Sequence, residues 1–500
     1  MVLVSGVGAP RLSRWVVGVP VAVVAVLVAF AGGYGYHGDE LYFLAAGRHL
    51  AWGYPDQPPL TPFLAALADA VAPDSLVALR VPAAVAAGGT VLFVGLLARE
   101  MGGGRRAQLV AVLGAALSGP VLVPGHMLHT TTIDICLSAA LAWLVARVVR
   151  TGDRRLLLVA GAVLGAGLLN KYQIAVVAAG AVVGLVLVGP RSVLRGPWPA
   201  AGALLALLLW SPNLLWQFAH GWPQLEMAAV ISGNGGNGAR VAFLPAQLLY
   251  VGPLLVPLWV AGLVRLLRSP DARPFRFLGV AWVLLVVVFV LAAGSPMYLF
   301  GAYPALLAAG GLAVDGWLAR GARARGLVVG TSLIASAAFI VPLALPVVPV
   351  DRLDDIPVVE LNGLTAEQFG WPELARTVAE VHRSLPAPGN TAVVTENFGE
   401  AAALERYGRD LGLPTVHSGY RGYGYWGHPP DTATAALIVR PGTRPGPPGW
   451  ARDACRDLRV VATTRNDRGI DNKEQDGRVW LCEGIAEPWA DLWPRVRHLD

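Results

Sequence analysis

The chain has 500 residues, 55% of them hydrophobic and 14% charged, with a formal net charge of +6 and a mean hydropathy of +0.54. Soluble proteins carry about a quarter charged residues, so a soluble enzyme is excluded. The basic balance calls for no nucleic acid, because the arginines gather between apolar runs as membrane orientation requires.

Apolar runs of about 18 or more residues recur over the first 350 positions, the pattern of a polytopic helical membrane protein. The alternating ten-residue strands of a spanning barrel are not visible. About eleven spans are predicted, near 15–33, 81–98, 107–124, 131–149, 155–169, 172–189, 198–218, 245–264, 276–293, 297–314 and 326–346. The first follows Arg11 and Arg14 and lacks a small-residue cleavage site, so it reads as a retained span. With the N-terminus in the cytoplasm, the inner loops collect Arg99, Arg105, Arg106, Arg147, Arg150, Arg191, Arg195, Arg273, Arg276 and others. The outer loops hold only Arg48, Arg80, Lys171 and Arg240. This expectation puts a multi-pass protein in the cell membrane, with the first loop (34–80) and everything after Pro349 outside.

The first span ends in His37-Gly38-Asp39-Glu40-Leu41-Tyr42, two adjacent carboxylates at the water boundary. Asp39 either caps a helix starting at Glu40 or accepts a proton from an attacking hydroxyl. Glu40–Leu50 and Leu60–Val71 read as amphipathic helices in the membrane surface. Between them lies the stiff segment Gly53-Tyr54-Pro55-Asp56-Gln57-Pro58-Pro59.

A third acid, Asp134, falls in the first turn of the fourth span, in Thr130-Thr131-Thr132-Ile133-Asp134. A carboxylate is comfortable at a helix N-terminus, but the topology also brings it to the face that carries Asp39 and Glu40. His126 and His129 share its loop. These acids and imidazoles could bind a divalent cation, though spacing alone implies no metal. Lys171 is one of two lysines in the chain. It either snorkels or offers charge to a lipid phosphate, a role Arg48 and Arg240 could share. Ser295–Pro304 is a broken turn carrying Tyr298 and Tyr303, fit to line a groove or simply to end a helix. Ser232–Gly238 is glycine-rich, a mobile lid or an inert connector. No Walker, GxSxG, HExxH or CxxC pattern occurs.

Beyond Pro349 charge rises and the apolar runs shorten. Thr391–Thr395, Thr415–Ser418, Ala436–Val439, Arg459–Thr463 and Val479–Cys482 read as strands; Pro372–Leu385 and Gly399–Leu411 read as helices, the latter stopped by Gly412. The chain therefore divides into a membrane module, 1–349, and an α/β domain, 350–500. Cys136 reads as a small buried hydrophobe, while Cys455 and Cys482 are free to form a disulfide if their domain is outside the cytoplasm. Tyr420-Arg421-Gly422-Tyr423-Gly424-Tyr425-Trp426 could stack on a sugar or pack in a loop.

In its membrane part, roughly 10–345, the chain resembles the GT-C membrane glycosyltransferases, and more narrowly the protein O-mannosyltransferase and aminoarabinose-transferase family. Asp39-Glu40, Gly53-Tyr54-Pro55, Pro58-Pro59-Leu60, Thr132-Ile133-Asp134, Leu169-Asn170-Lys171-Tyr172 and Tyr298…Tyr303-Pro304 carry the resemblance. It implies transfer of a monosaccharide from a polyprenyl-phosphate carrier to a lipid, glycan or protein acceptor outside the cytoplasm, with no cofactor. Asp39 matches the family's catalytic first-loop aspartate, and Asp134 the acid of the second outer loop. On this reading Glu40 and Asp134 assist Asp39; Lys171, Arg48, Arg240, Tyr298 and Tyr303 face the donor phosphate; His126, His129, Gln57 and Tyr54 lie toward the acceptor. Gln57 departs from the lysine that lipid A-modifying members place before the Pro-Pro pair, which argues against a lipid A phosphate acceptor. An oligosaccharide ligase or polymerase, or a transporter of lipid-linked sugar, are the alternatives.

Overall fold

The computed structural model describes residues 10–234, 237–444 and 446–499. Six helices in it are long and apolar enough to cross a bilayer: Leu76–Glu100, Thr130–Thr151, Pro197–Ala219, Arg273–Leu291, Pro296–Leu318 and Arg323–Ala344. Two bent pairs raise the number to eight: Arg105–Ala116 with Gly119–His126, bent by 61°, and Gly238–Val251 with Pro253–Arg268, bent by 89°. The other three expected spans coincide with the shorter helices Trp15–Phe30, Leu156–Leu168 and Gln173–Leu187. Their 16, 13 and 15 residues rise about 20–24 Å, short of a hydrocarbon core of about 30 Å. By length and composition six to eight spans occur among the described residues, and the expected number of eleven is not confirmed.

Small residues let the helices close on one another, as apolar surroundings favour. A Cβ on Gly161 would lie 2.1 Å from the Gly202 carbonyl, and one on Gly202 would lie 2.3 Å from that of Leu157. The two bent pairs meet at their breaks, where a Cβ on Gly119 would lie 2.0 Å from the Tyr250 carbonyl. The stretch expected as an outer loop, 219–244, is largely helical, with helices Pro223–Asn234 and Asn237–Val251; of the glycine-rich segment proposed as a lid, Gly235 and Gly236 lie outside the described residues.

The first outer loop forms helices Gly38–Arg48 and Leu60–Val71. The second shows Phe63, Leu67 and Val71 on its surface at helical spacing, the apolar stripe of an interfacial helix. The first does not lie in the membrane surface as expected. Leu41, Tyr42, Phe43 and Leu44 are all buried and join a core with Trp371, Leu374, Ala401 and Leu404 of the C-terminal domain. Covered on nearly every side, the helix needs no amphipathic pattern.

The C-terminal domain is a five-stranded sheet of order β2-β1-β3-β5-β4: β1 (Thr391–Thr395), β2 (Val416–Ser418), β3 (Ala435–Arg440), β4 (Asp457–Thr464) and β5 (Gly477–Glu483). β1 pairs in parallel with β2 and β3, while β5 runs antiparallel to β3 and β4. Helices Trp371–Ser384 and Phe398–Tyr407 cover the face toward the membrane module. The second stops at Gly408, four residues before the expected Gly412, because the chain turns back there and the Leu413 N–H donates to the Gly408 carbonyl at 3.0 Å. Cys455 and Cys482 form a disulfide.

The two ends of the bundle differ in charge. At one end Glu100 takes Arg147 and Arg150, and Asp315 takes Arg106. At the other, Asp39, Glu40, His126, His129 and Lys171 come together beneath the C-terminal domain.

Candidate active site

Helix Gly38–Arg48 starts two residues earlier than expected, with His37 rather than Asp39 as its cap. The His37 Nδ1 accepts from the Asp39 N–H at 3.1 Å, and the Glu40 carboxylate accepts from the His37 N–H at 3.0 Å. This reciprocal capping box satisfies two helix-end donors and turns the two carboxylates apart.

Glu40 turns inward. It is fully buried. Its oxygens accept from Arg80 Nε and Nη2 at 2.9 and 2.8 Å, and from the Leu128 N–H at 2.9 Å. Burial would raise its carboxyl, but the Arg80 guanidinium reverses this and holds it below the usual range. Arg80 also donates to the carbonyls of Ala31, Gly33 and Gly35 and to Gln368 Oε1, and meets His126 Nε2 at 3.2 Å. His126 is thus a member of this clamp. The clamp ties the end of the first span, the first loop, the 130–151 helix's approach and the C-terminal domain to one point.

Asp39 turns outward, and its side chain is 30% exposed. Its carboxylate lies 3.6 Å from His129 Nε2. His129 Nδ1 accepts from the Thr131 N–H at 3.1 Å, so in the neutral ring the proton sits on Nε2, facing Asp39. Burial pushes His129 down to about 4 despite Asp39, and the ring is neutral at pH 7. Burial would raise Asp39 itself. The imidazoles of His37 and His129, with Arg421 and Lys473, outweigh it and hold the carboxyl below its ordinary value. With His129 neutral, the permanent charges among these are Arg421 and Lys473, both from the C-terminal domain.

Thr131 links this group to Lys171, whose Nζ donates to Thr131 Oγ1 at 2.9 Å and stands 5.7 Å from the ring centre of Tyr298. Asp134, one turn further along the same helix, is buried with one carboxylate oxygen unpartnered among the described residues, in the electrostatic field of Lys171. Beside them runs a cavity of about 300 Å³ whose walls include Tyr250, Phe300, Phe339 and Leu343, with His129, Thr131 and Glu367 as its polar end. Gly119 and Tyr250, the breaks of the two bent pairs, also line it, which fits the rule that irregular backbone at membrane depth borders a cavity.

Other expected site residues fall elsewhere. Arg48 faces the C-terminal domain, 3.9 Å from Glu405. Arg240 is exposed and reaches the Leu291 carbonyl at 3.4 Å. Tyr303 is buried, donates to Gln247 Oε1 at 3.0 Å and packs on Trp259 and Trp282. Tyr54 is buried, and its hydroxyl ties together the loop at Ala46 and Ala51. Gln57 is buried with neither amide atom partnered among the described residues. No group of three His, Cys, Asp or Glu able to hold a metal occurs among the described residues.

The C-terminal domain supplies residues that the sequence reading passed over. Arg421 has a backbone φ of +51°, uncommon for a side chain-bearing residue. Its guanidinium lies over the rings of Phe398 and Tyr420, 3.8 Å from Asp56, with Nε buried and unpartnered among the described residues. Asp56 accepts from the Tyr42 hydroxyl at 2.8 Å, which in turn accepts from the Gly422 N–H at 3.2 Å. Trp426 stacks on His49 at 4.6 Å. The Tyr420–Trp426 segment therefore packs onto the first loop. Lys473, the chain's second lysine, pairs with Glu367, which lies 3.5 Å from His37.

Residues 56–216 match the family model described as dolichyl-phosphate-mannose-protein mannosyltransferase. No curated protein matches the chain. Among solved structures, it is similar to ArnT from Cupriavidus metallidurans bound to undecaprenyl phosphate, with a TM-score of 0.57 and 15% identity, covering 94% of this chain and 98% of that one. It is also similar to the arabinofuranosyltransferase AftD from Mycobacteria, with a TM-score of 0.53, 15% identity, and coverage of 95% and 40%. The archaeal oligosaccharyltransferase AglB from Archaeoglobus fulgidus gives 0.51, 12%, 81% and 64%. The chain thus carries the GT-C fold of the membrane glycosyltransferases and, over residues 56–216, the signature of the dolichyl-phosphate-mannose-protein mannosyltransferase family.

Proposed function

We propose that the chain is a membrane glycosyltransferase that moves a monosaccharide from a polyprenyl-phosphate carrier to an acceptor outside the cytoplasm, with Asp39 as the base. The observation that carries this reading is the position of a partly exposed carboxylate, held ionised, beside the polar end of an apolar cavity that also reaches Thr131, the partner of Lys171. The cavity suits a prenyl chain, and Lys171 suits its phosphate. The undecaprenyl phosphate named for the ArnT structure supports a carrier of that class.

In this mechanism the acceptor oxygen attacks the anomeric carbon and its proton passes to Asp39. The bond from that carbon to the phosphate oxygen breaks, and its electron pair leaves on the phosphate. Lys171 offsets the charge developing there, the kind of term that dominates many group transfers. Attack opposite the leaving group inverts the anomeric centre. Glu40 acts through Arg80 as a positioning residue. Gln57, whose amide has no partner among the described residues, faces the acceptor. The disulfide supports an extracytoplasmic C-terminal domain.

The test compares the lipids of cells with and without the protein. A prenyl-phosphate sugar that accumulates in its absence, and is consumed when membranes containing it are added, supports the proposal. An unchanged prenyl-phosphate pool, with lipid-linked sugar instead trapped on one leaflet, would point to a transporter.

A further inference from the structure

The end of the bundle opposite Asp39 holds a second concavity, of about 600 Å³, that the transfer mechanism does not use. Arg191, Arg195, Arg273 and Arg276 line it, together with Leu187, Val188, Gly189 and Ser192. Two antiparallel helices bring it together: Gln173–Leu187 ends there and Arg276–Leu291 begins there. A Cβ on Gly184 would lie 2.5 Å from the Phe277 carbonyl, which shows how closely the ends are joined.

The positive-inside rule accounts for arginines on this face, but not for their state. Some of those elsewhere on it are matched with acids: Arg147 and Arg150 with Glu100, Arg106 with Asp315, Arg265 with Asp271. Here no acidic residue lines the concavity. Among the described residues no carboxylate lies within ion-pair distance of any of the four guanidinium groups, and Arg276 Nε is buried with no hydrogen-bond partner. Arg191 Nε is used, donating to the Val186 carbonyl at 2.8 Å. The first N–H groups of the helix that begins at Arg276 add partial positive charge. Four guanidinium groups facing one hollow repel each other unless an anion enters it. Beside them Leu187 and Val188 leave apolar surface exposed, 57% and 38% of each residue. Charge and apolar wall side by side fit an amphiphile better than a free ion.

We infer that this concavity binds the phosphate of an anionic phospholipid, the headgroup among the arginines and an acyl chain along Leu187 and Val188. Basic hollows at the cytoplasmic ends of membrane helices take such headgroups by charge, and guanidinium groups suit phosphate because they can donate two parallel hydrogen bonds.

The test uses the full chain, purified in a neutral detergent, with phosphatidylglycerol, phosphatidylcholine or water-soluble glycerol phosphate added. Thermal unfolding and native mass spectrometry report binding. Phosphatidylglycerol should raise the unfolding temperature saturably and remain bound, and phosphatidylcholine should do neither. The Arg195→Ser/Arg273→Ser variant removes two exposed side chains and should bind phosphatidylglycerol at least tenfold more weakly. Arg320→Ser/Arg323→Ser removes equal charge elsewhere on the same face and should bind as the parent does. Equal binding of phosphatidylcholine, or equal weakening by both variants, would overturn the inference. Glycerol phosphate binding as tightly as the lipid would make this a site for a free anion and would equally overturn it.

Discussion

Asp39 and Glu40 are neighbours in sequence and opposites in structure. Around Glu40 every oxygen is engaged, the carboxylate is fully buried, and Arg80 draws three backbone carbonyls and Gln368 into the same knot. Around Asp39 the contacts are long, at 3.6 Å to His129, and part of the carboxylate meets solvent. The capping box makes the difference: it consumes Glu40 in fixing the helix and leaves Asp39 facing His129, which lines the cavity. A saturated buried ion pair is costly to break and chemically inert. A loosely held, ionised carboxylate beside a cavity is what proton abstraction needs.

Breaking the inner region has the largest expected effect. Arg80→Ala leaves Glu40 buried without its partner, a loss of about 3–5 kcal/mol. Thermal unfolding in detergent should show a strongly lowered transition or little folded protein; a transition like that of the parent would show the knot to be dispensable. Lys171→Met should spare folding and weaken donor use. Losing one charged hydrogen bond costs about 1.5–3 kcal/mol, so kcat/KM for the prenyl-phosphate sugar should fall by about tenfold to a hundredfold, and an effect confined to acceptor KM would contradict the assignment.

Arg421→Gln sharpens the outer region. Arg421 helps hold Asp39 below its ordinary value of 3.8. On the proposed mechanism the base works ionised, so activity is expected above the folded pKa and is lost as pH falls through it. In the parent that acid limb lies below 3.8, and removing Arg421 should move it upward. A limb that stays in place would mean the C-terminal domain does not tune the base. The smallest effect on transfer should come from Cys455→Ser/Cys482→Ser. It removes about 2–4 kcal/mol from the C-terminal domain, so chemical unfolding should begin there while transfer at low temperature persists.

Much of this was legible in the sequence. Apolar run length located the helices, including the Asn170-Lys171-Tyr172 break between helices Leu156–Leu168 and Gln173–Leu187, because hydrophobic burial is read directly from composition. The five strands lie within two residues of their expected bounds. Asp39, His129, Lys171 and Asp134 gather at one rim because charge asymmetry fixes topology. Span number was less legible, since three of the expected spans form helices of only 16, 13 and 15 residues. Arg80 and Lys473 read as ordinary loop charges, and Arg421 belongs to a segment read only for its aromatic rings. Their partners lie far along the chain: Arg80 and Gln368 are 288 residues apart, Arg421 reaches Asp56 of the first loop, and Lys473 reaches Glu367. Local spacing holds no record of such pairings. One local signal existed for Arg80, a single arginine within the apolar Leu79-Arg80-Val81 stretch, where a buried charge demands a partner.

The central claim is that of two adjacent carboxylates only Asp39 handles the proton. The direct measurement is single-turnover transfer from a labelled polyprenyl-phosphate sugar in proteoliposomes, with thermal unfolding of the same samples. Asp39→Asn should unfold as the parent does and transfer about 10²–10⁴-fold more slowly, the usual worth of a general base, whereas Glu40→Gln should lower the unfolding temperature. Full transfer by Asp39→Asn would contradict the account.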